Sequence, residues 1–420
     1  MYNMAQIKKV EAREILDSRG NPTLTVFCEL VSGAIGEASV PSGKSTGSHE
    51  ALELRDHDMG RYEGLGVLNA VNNVNTEINN FLENKDFDQN TLDRALIALD
   101  GTENKSRLGA NAILSVSMAF AKACAKEKNI ELYEYFGSLV GNTDFKTPEP
   151  LLNIINGGKH SNNGLELQEF MIAPVGIKSF TEKIRASRKV IETLQKILEE
   201  KKYSITLGDE GGFAPVLKSN EEAIELIENA IKNAGYSFDE VKIGIDVAAS
   251  SFFHDGFYQM KVEGENQNLN NIEMINWYEK IVSEHPLIFL EDPLSENDWK
   301  GFTMITETLG DKIKIVGDDL TVTNVKRIKN AVEKKAINSV LIKLNQIGTV
   351  SETINAIELT KSEGWTPFIS HRSGETMDTT ISDLAVGVGA QYIKAGSLTK
   401  PERMCKYERL IEIEKIINVI

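Results

Sequence analysis

The sequence predicts an α/β protein: a C-terminal (β/α)8 barrel of the TIM type with irregular first repeats, preceded by an N-terminal α+β domain. Three observations carry this prediction. First, between Ile243 and Lys394 six short apolar runs (KIGIDVA, LIFLEDPL, IKIVGDDL, SVLIKLNQI, TPFISHRS and QYIKAG) lead to Asp246, Glu291, Asp318, Lys343, His371 and Lys394. The gaps between these residues are 45, 27, 25, 28 and 23, and about 25 residues suffice for one buried strand and one returning helix. Second, the N-terminal third shows strand patterns followed by helix patterns without alternation, as in an α+β domain. Third, 270 residues follow Pro150, close to the ~250 of a single barrel.

Residues 5 to about 40 alternate apolar and polar around turn signals such as Asp17-Ser18-Arg19-Gly20-Asn21-Pro22, as antiparallel strands do. From Gly66 to Phe136 the pattern is helical, and Ala110 to Ala125 is apolar nearly all round, so that helix should be buried. We place the N-terminal domain at residues 1–137, a linker at 138–150 around GSLVGNTDFKTPEP, and the barrel at 151–420. The barrel starts irregularly. LLNIING and EFMIAP read as strands joined by a loop too short for a helix, and two amphipathic helices, Ser179 to Lys202 and Asn220 to Ala234, bracket ITLGDEGG. Simple βα alternation sets in after Lys242.

With 41% apolar residues the chain can fill full-sized cores, and a net charge of −16 repels nucleic acid and anionic lipid. An anionic substrate must therefore be met locally, by metal ions and a few basic side chains. Cys28, Cys124 and Cys405 are odd in number and lack metal-ligand spacing, which points to a reducing compartment. No signal-peptide or membrane-spanning run is evident, so the cytoplasm is the expected location.

If the repeats close into a barrel, the strand ends share one rim, where such enzymes assemble their active sites. Any one polar residue can end a strand merely because it nears water. Six in succession offering ionisable groups argue for a shared site, since strand exits otherwise favour Gly, Asn, Ser and Pro. Asp246, Glu291 and Asp318 on successive strands suit one hard cation, and Mg²⁺ is the natural guess. Asp292 and Asp319 should face the other side of their strands and pair with barrel lysines, because side chains alternate. Lys343 would stand beside the metal, whose charge lowers its pKa from about 10.4 towards that of a useful base. Glu169 and Glu210 add carboxylates on the opposite arc of the rim. Base and acid on facing arcs suit an elimination across two adjacent carbons.

Longer motifs run the length of the chain: DSRGNPT (17–23), VPSGKSTG (40–47), EALELRD (50–56), NKSRLGANAILSVS (104–117), NIINGGKH (153–160), LQEFMI (167–172), GDEGG (208–212), LEDPL (290–294), GDDLTVTN (317–324), LIKLNQIGT (341–349) and SHRSGET (370–376). In this order they resemble the enolase (phosphopyruvate hydratase) family, of bacterial type. The resemblance implies reversible dehydration of 2-phosphoglycerate to phosphoenolpyruvate. It implies that Asp246, Glu291 and Asp318 bind a first Mg²⁺ and that Ser45 is a ligand of a second, which arrives with substrate. It makes Lys343 the base at C2 and Glu210 the acid at the C3 hydroxyl, with Glu169 beside it and His371 and His160 as histidines of the site. Gln168, Arg372, Ser373 and Lys394 would contact substrate, with Arg372 and Ser373 on its phosphate. A Lys or His base working with Mg²⁺ is the pattern by which the enolase superfamily is known, so these roles come from the resemblance and not from spacing.

Three positions depart from the family pattern. Lys44 stands where Ala is common, Leu65 where Lys is common, and Ala395 replaces Thr. A racemase or cycloisomerase of the same superfamily is the competing enzymatic reading, but those resemble one another in a KxK pair on the second barrel strand, where this chain has Glu169-Phe170-Met171. A non-catalytic enolase kept as a binding protein, also on the cell surface, is the other. The resemblance further implies a homodimer or octamer, while the acidic net charge argues against a nucleic-acid partner.

Overall fold

The fold is taken from a computed structural model, which describes residues 4–44 and 46–419. Strands β1 (Ala5–Leu16), β2 (Pro22–Leu30) and β3 (Ile35–Ser39) form an antiparallel sheet, with β4 (Asp86–Phe87) on the far side of β1. The first hairpin turns because the Asp17 carboxylate accepts the backbone N–H groups of Arg19 and Asn21 at 2.8 and 2.9 Å. The strand β4 was not expected, since a two-residue strand carries no period. Helix Ala110–Glu127 packs on the sheet, with Ile113, Leu114, Val116 and Phe120 fully buried, as its all-round apolar sequence requires. It comes so close to β3 that a Cβ on Gly36 would lie 2.0 Å from the Ala119 carbonyl oxygen. Helix Leu132–Val140 runs into the segment expected as a linker, and β5 (Glu149–Asn156) begins before that segment ends.

The barrel closes from eight strands: β5, β6 (Glu169–Ala173), β7 (Lys242–Asp246), β11 (Leu287–Glu291), β12 (Lys314–Gly317), β13 (Ser339–Ile342), β14 (Thr366–Ser370) and β15 (Tyr392–Lys394), with β15 beside β5. The strand β6 runs antiparallel to both neighbours, while the other pairs are parallel. The idea that every strand ends on one rim is therefore corrected. The short loop between β5 and β6 can only reverse the chain, so the first residue of β6 reaches the rim, and Glu169 pairs in register with Asn156 and Asp246. The gap of 45 residues before Glu291 is long because it holds a small antiparallel sheet, β8 (Phe253–His254), β9 (Phe257–Val262) and β10 (Glu265–Leu269), besides helix Asn271–Glu284.

A separate apolar plug fills the barrel interior: Leu151, Met171, Phe289, Val316, Leu341, Phe368 and Tyr392, all buried. Phe368 stacks on Tyr392 with ring centroids 4.5 Å apart, and Phe289 meets Phe368 edge-on at 5.4 Å. Phe289 occupies the space where a side chain at position 244 would stand, since a Cβ on Gly244 would fall 1.9 Å from its ring.

Candidate active site

Period-two alternation carries the plug up to the chemistry. Two residues beyond Phe289, Val316, Leu341 and Tyr392 come Glu291, Asp318, Lys343 and Lys394, which therefore share the interior face. Gly244 and Asp246 follow the same rule, and Met171 and Glu169 follow it in reverse because β6 is reversed. His371 is out of phase. The residue two beyond Phe368 is Ser370, and His371 lies past the end of β14, its backbone N–H bonded to the Lys394 carbonyl at 2.9 Å.

A cavity of about 190 Å³ at this rim is lined by the acidic and polar His160, Gln168, Glu169, Glu210, Asp246 and Asp318 and by Lys343, His371, Arg372, Ser373 and Lys394 among them. Glu291 lies fully buried against it. The Lys394 ammonium binds both Glu291 oxygens at 3.0 Å and Asp246 Oδ2 at 2.9 Å, and lies 3.3 Å from Glu169 Oε2. Lys343 Nζ donates to Asp318 Oδ2 at 2.6 Å. Burial alone would lower the Lys343 pKa, but the Asp318 carboxylate outweighs it and holds the ammonium above the usual lysine value.

Asp292 and Asp319 contradict the alternation argument. The strand ends at Glu291, and Asp292 has φ of 40°, in the left-handed region, so its side chain swings back to the rim. Its two carboxylate oxygens accept the backbone N–H groups of Asp318 and Asp319 at 2.8 and 2.7 Å, rather than a lysine, and both aspartates line the cavity. Burial first, and neighbouring carboxylates second, push Glu291, Asp292 and Asp319 above the usual carboxylate range, Asp319 to about 8.

The rim thus buries more carboxylate than its two lysines neutralise. An all-oxygen set of this kind fits a hard dication, which would relieve the excess charge. Among the described residues, two groups bring candidate ligand atoms within 4.8 Å of one another: His160, Glu169 and Glu210, and Asp292, Asp318 and Asp319. Neither is the expected set of Asp246, Glu291 and Asp318. Both oxygens of Asp292 are already engaged by backbone N–H groups, which makes it a poor ligand. The expected three sit at the ends of the adjacent strands β7, β11 and β12, and each holds a lysine ammonium where a cation would compete for it.

Across the cavity lies a carboxyl pair. His160 Nδ1 is 3.5 Å from Glu169 Oε1 and 3.8 Å from Glu210 Oε1. Burial and the charge of Glu210 push Glu169 well above the usual carboxylate range. Burial also raises Glu210, but the facing His371 and His160 rings outweigh it and hold Glu210 well below that range. The two carboxyls are thus pushed in opposite directions, Glu169 towards its protonated form and Glu210 towards its ionised one. His371 Nε2 stands 3.3 Å from Glu210 Oε2 without the alignment of a full hydrogen bond. Because the fully buried Arg403 guanidinium can only donate to His371 Nδ1, the ring proton is left on Nε2, facing Glu210. Burial lowers the His371 pKa to about 4, so the ring is neutral at neutral pH.

The third side is cationic. Arg372 meets both oxygens of Glu50, at 2.8 and 3.1 Å, and Asn345 Oδ1 at 2.9 Å. Ser373 Oγ accepts the Lys44 backbone N–H at 2.7 Å, which brings the Gly-rich segment over the site, and Lys44 Nζ reaches Asp209 at 2.8 Å. Ser45 itself lies outside the described residues. Sequence reading gave no role to Glu50, Asn345 or Arg403. Each lies within, or shortly after, a quoted motif, but its partner is 322 residues away for Glu50, 27 for Asn345 and 32 for Arg403, and nothing local announces it.

Residues 7–136 match the family described as Enolase, N-terminal domain, and residues 144–419 match Enolase, C-terminal TIM barrel domain. Together they cover nearly the whole chain, in the order in which sheet, barrel and rim were built above, and the chain belongs to the enolase family.

Proposed function

We propose that this chain is a phosphopyruvate hydratase, a hydro-lyase catalysing the Mg²⁺-dependent reversible dehydration of 2-phospho-D-glycerate to phosphoenolpyruvate. The observation that carries the reading is that Lys343 and the Glu169 and Glu210 pair line one small cavity together with Arg372 and Ser373, and that Ser373 also holds the Lys44 backbone N–H. In this reading Lys343 takes the C2 proton, the electron pair left behind forms the C2–C3 double bond, and the C3 hydroxyl leaves as water with the proton of the carboxyl pair. Glu210 faces the leaving group and Glu169 supplies the proton store, with the neutral His371 ring turning its Nε2–H to Glu210 and His160 lying beside both carboxyls. Arg372 and Ser373 hold phosphate, and Gln168, whose Oε1 is buried without a partner, orients the substrate. Lys394 offsets carboxylate charge as the carbanion forms. Mg²⁺ held by Asp246, Glu291 and Asp318, with a second ion at Ser45, would supply positive charge to the substrate carboxylate and offset the Asp318 charge that holds the Lys343 proton, so that the amine can act as base. The dimeric or octameric state implied by the resemblance, and a cytoplasmic site of action, belong to the same reading; among the described residues no helix is long and apolar enough to cross a membrane.

The test is the absorbance of phosphoenolpyruvate formed from 2-phosphoglycerate with and without Mg²⁺, followed by NMR of substrate incubated in D₂O. Glu210→Gln should exchange the C2 hydrogen while making little product, and Lys343→Ala should do neither. Rapid exchange by Lys343→Ala and none by Glu210→Gln would reverse the assignment.

A further inference from the structure

Two residues of the rim are buried, touch neither the lysine amine nor the cavity, and yet close a ring around the metal-binding carboxylate and the base. Gln346 and Thr323 are both fully buried. The Lys343 backbone N–H donates to Thr323 Oγ1 at 2.9 Å, and Thr323 Oγ1 donates to Gln346 Oε1 at 2.8 Å. Gln346 Nε2 donates to Asp318 Oδ1 at 2.8 Å, and Lys343 Nζ returns to Asp318 Oδ2 at 2.6 Å.

The order of donors around this ring is forced. The Asp318 carboxylate can only accept, so Gln346 turns its N–H to Asp318 and its amide oxygen to Thr323. The Thr323 hydroxyl, accepting the Lys343 backbone N–H, therefore gives its own proton to that amide oxygen. One Asp318 oxygen is thereby given to the amide and the other to the lysine. The carboxylate plane is set from both sides, and the lone pairs not used by these donors face a cation in a single orientation.

The backbone supports the same reading. Val322 and Thr323 have φ of 44° and 55° in succession, a conformation that β-branched residues rarely adopt and that persists only where the surroundings enforce it. Here the Thr323 hydroxyl is anchored by two hydrogen bonds, so the strained turn places the one oxygen that links the base to the amide. The ring is also tied to the N-terminal part of the chain. The Ala51 N–H donates to the Gln346 carbonyl at 2.8 Å, and Glu50, the partner of Arg372, lies 3.5 Å from Gln346 Nε2.

We propose that Gln346 and Thr323 are positioning residues, which hold the Asp318 carboxylate at the orientation that serves both a divalent cation and the Lys343 amine. The role rests on the function proposed above only in what the amine does. The orientation of Asp318 toward a cation stands apart from it.

The experiment compares the wild-type chain with Gln346→Leu, Thr323→Val and Thr323→Ser. Mg²⁺ affinity is measured by calorimetric titration without substrate, kcat and KM are measured with 2-phosphoglycerate, and thermal midpoints check the fold. Gln346→Leu and Thr323→Val should each weaken Mg²⁺ binding and lower kcat by about 10–100-fold, the usual effect of removing a group that orients a metal ligand. KM should change little. Thr323→Ser keeps the hydroxyl and should restore both quantities towards wild type, which a merely space-filling threonine would not require. Variants that bind Mg²⁺ and turn over as wild type overturn the proposal, and so does a Thr323→Ser chain as impaired as Thr323→Val. Should Gln346→Leu fail to fold, the Thr323 pair decides alone. A wild type that binds Mg²⁺ but leaves 2-phosphoglycerate unchanged would refute the dehydratase reading, while the Mg²⁺ affinities would still decide the role of the ring.

Discussion

Arg372 is the side chain at which the proposed phosphate binding would meet folding. It is fully enclosed, and its fork meets the carboxylate of Glu50, which is itself buried. A bidentate pair of this kind fixes the plane of the guanidinium, so that under the proposed function an incoming phosphate would meet donors already oriented. Arg372→Ala should raise the KM for 2-phosphoglycerate by roughly two orders of magnitude through lost charge-assisted hydrogen bonds. It should also lower stability by about 3 kcal/mol or more, because Glu50 is left as a buried charge without its partner. Steady-state kinetics and a urea melt on the same preparation check both. A variant with normal KM would place the phosphate elsewhere.

Among the elements, the clearest coupling joins helix Gln89–Asp100 to helix Val350–Ser362, which starts shortly after Lys343. Asp93 of the first is fully buried, accepts from Gln89 at 3.2 and 3.3 Å, and accepts the Ser351 N–H at 2.8 Å, so it helps to cap the N-terminus of the second. Lys105 to Glu352 is the ion pair nearest along that helix. Burial raises the Asp93 pKa to about 6, from a value of 3.8 in the open chain. Between about pH 4 and 6 the folded chain therefore keeps a proton that the unfolded chain releases, so the Asp93 contribution to stability falls as pH rises through that window and stays lost above it. The effect is at most about 3 kcal/mol. Unfolding midpoints of wild type and Asp93→Asn, measured across this window, should diverge with pH; parallel curves would show that Asp93 does not titrate there.

For the whole molecule, the excess carboxylate at the rim would link the proposed metal binding to stability. A cation that binds only the folded site stabilises it by mass action, about 2.7 kcal/mol at a hundred times its dissociation constant. Mg²⁺ should therefore raise the thermal midpoint of the wild-type chain, and a chelator should reverse the rise. Asp318→Ala should abolish the Mg²⁺-dependent part, and with it nearly all activity, while the chain stays folded. An equal rise in wild type and Asp318→Ala would locate the ion elsewhere.

The sequence by itself determined the barrel, the helices Ala110–Glu127, Phe180–Glu200 and Asn220–Asn233 to within a few residues, and the chemistry gathered at the rim. It could do so because hydrophobic period and strand phase are local: a plug residue such as Phe289 fixes which face Glu291 shares with it. Only the tertiary structure decided what depends on reversal or on distance along the chain. It turned β6 over, so that Glu169 enters the site from the start of a strand. It returned Asp292 to the rim through one positive φ. It also set Arg403 behind His371, Glu50 behind Arg372, and Thr323 and Gln346 around Asp318. These residues are polar and buried, and each is satisfied by a partner on another segment, so no periodic pattern in the chain marks them. Their meaning lies in hydrogen-bond closure, which exists only once the strands have met.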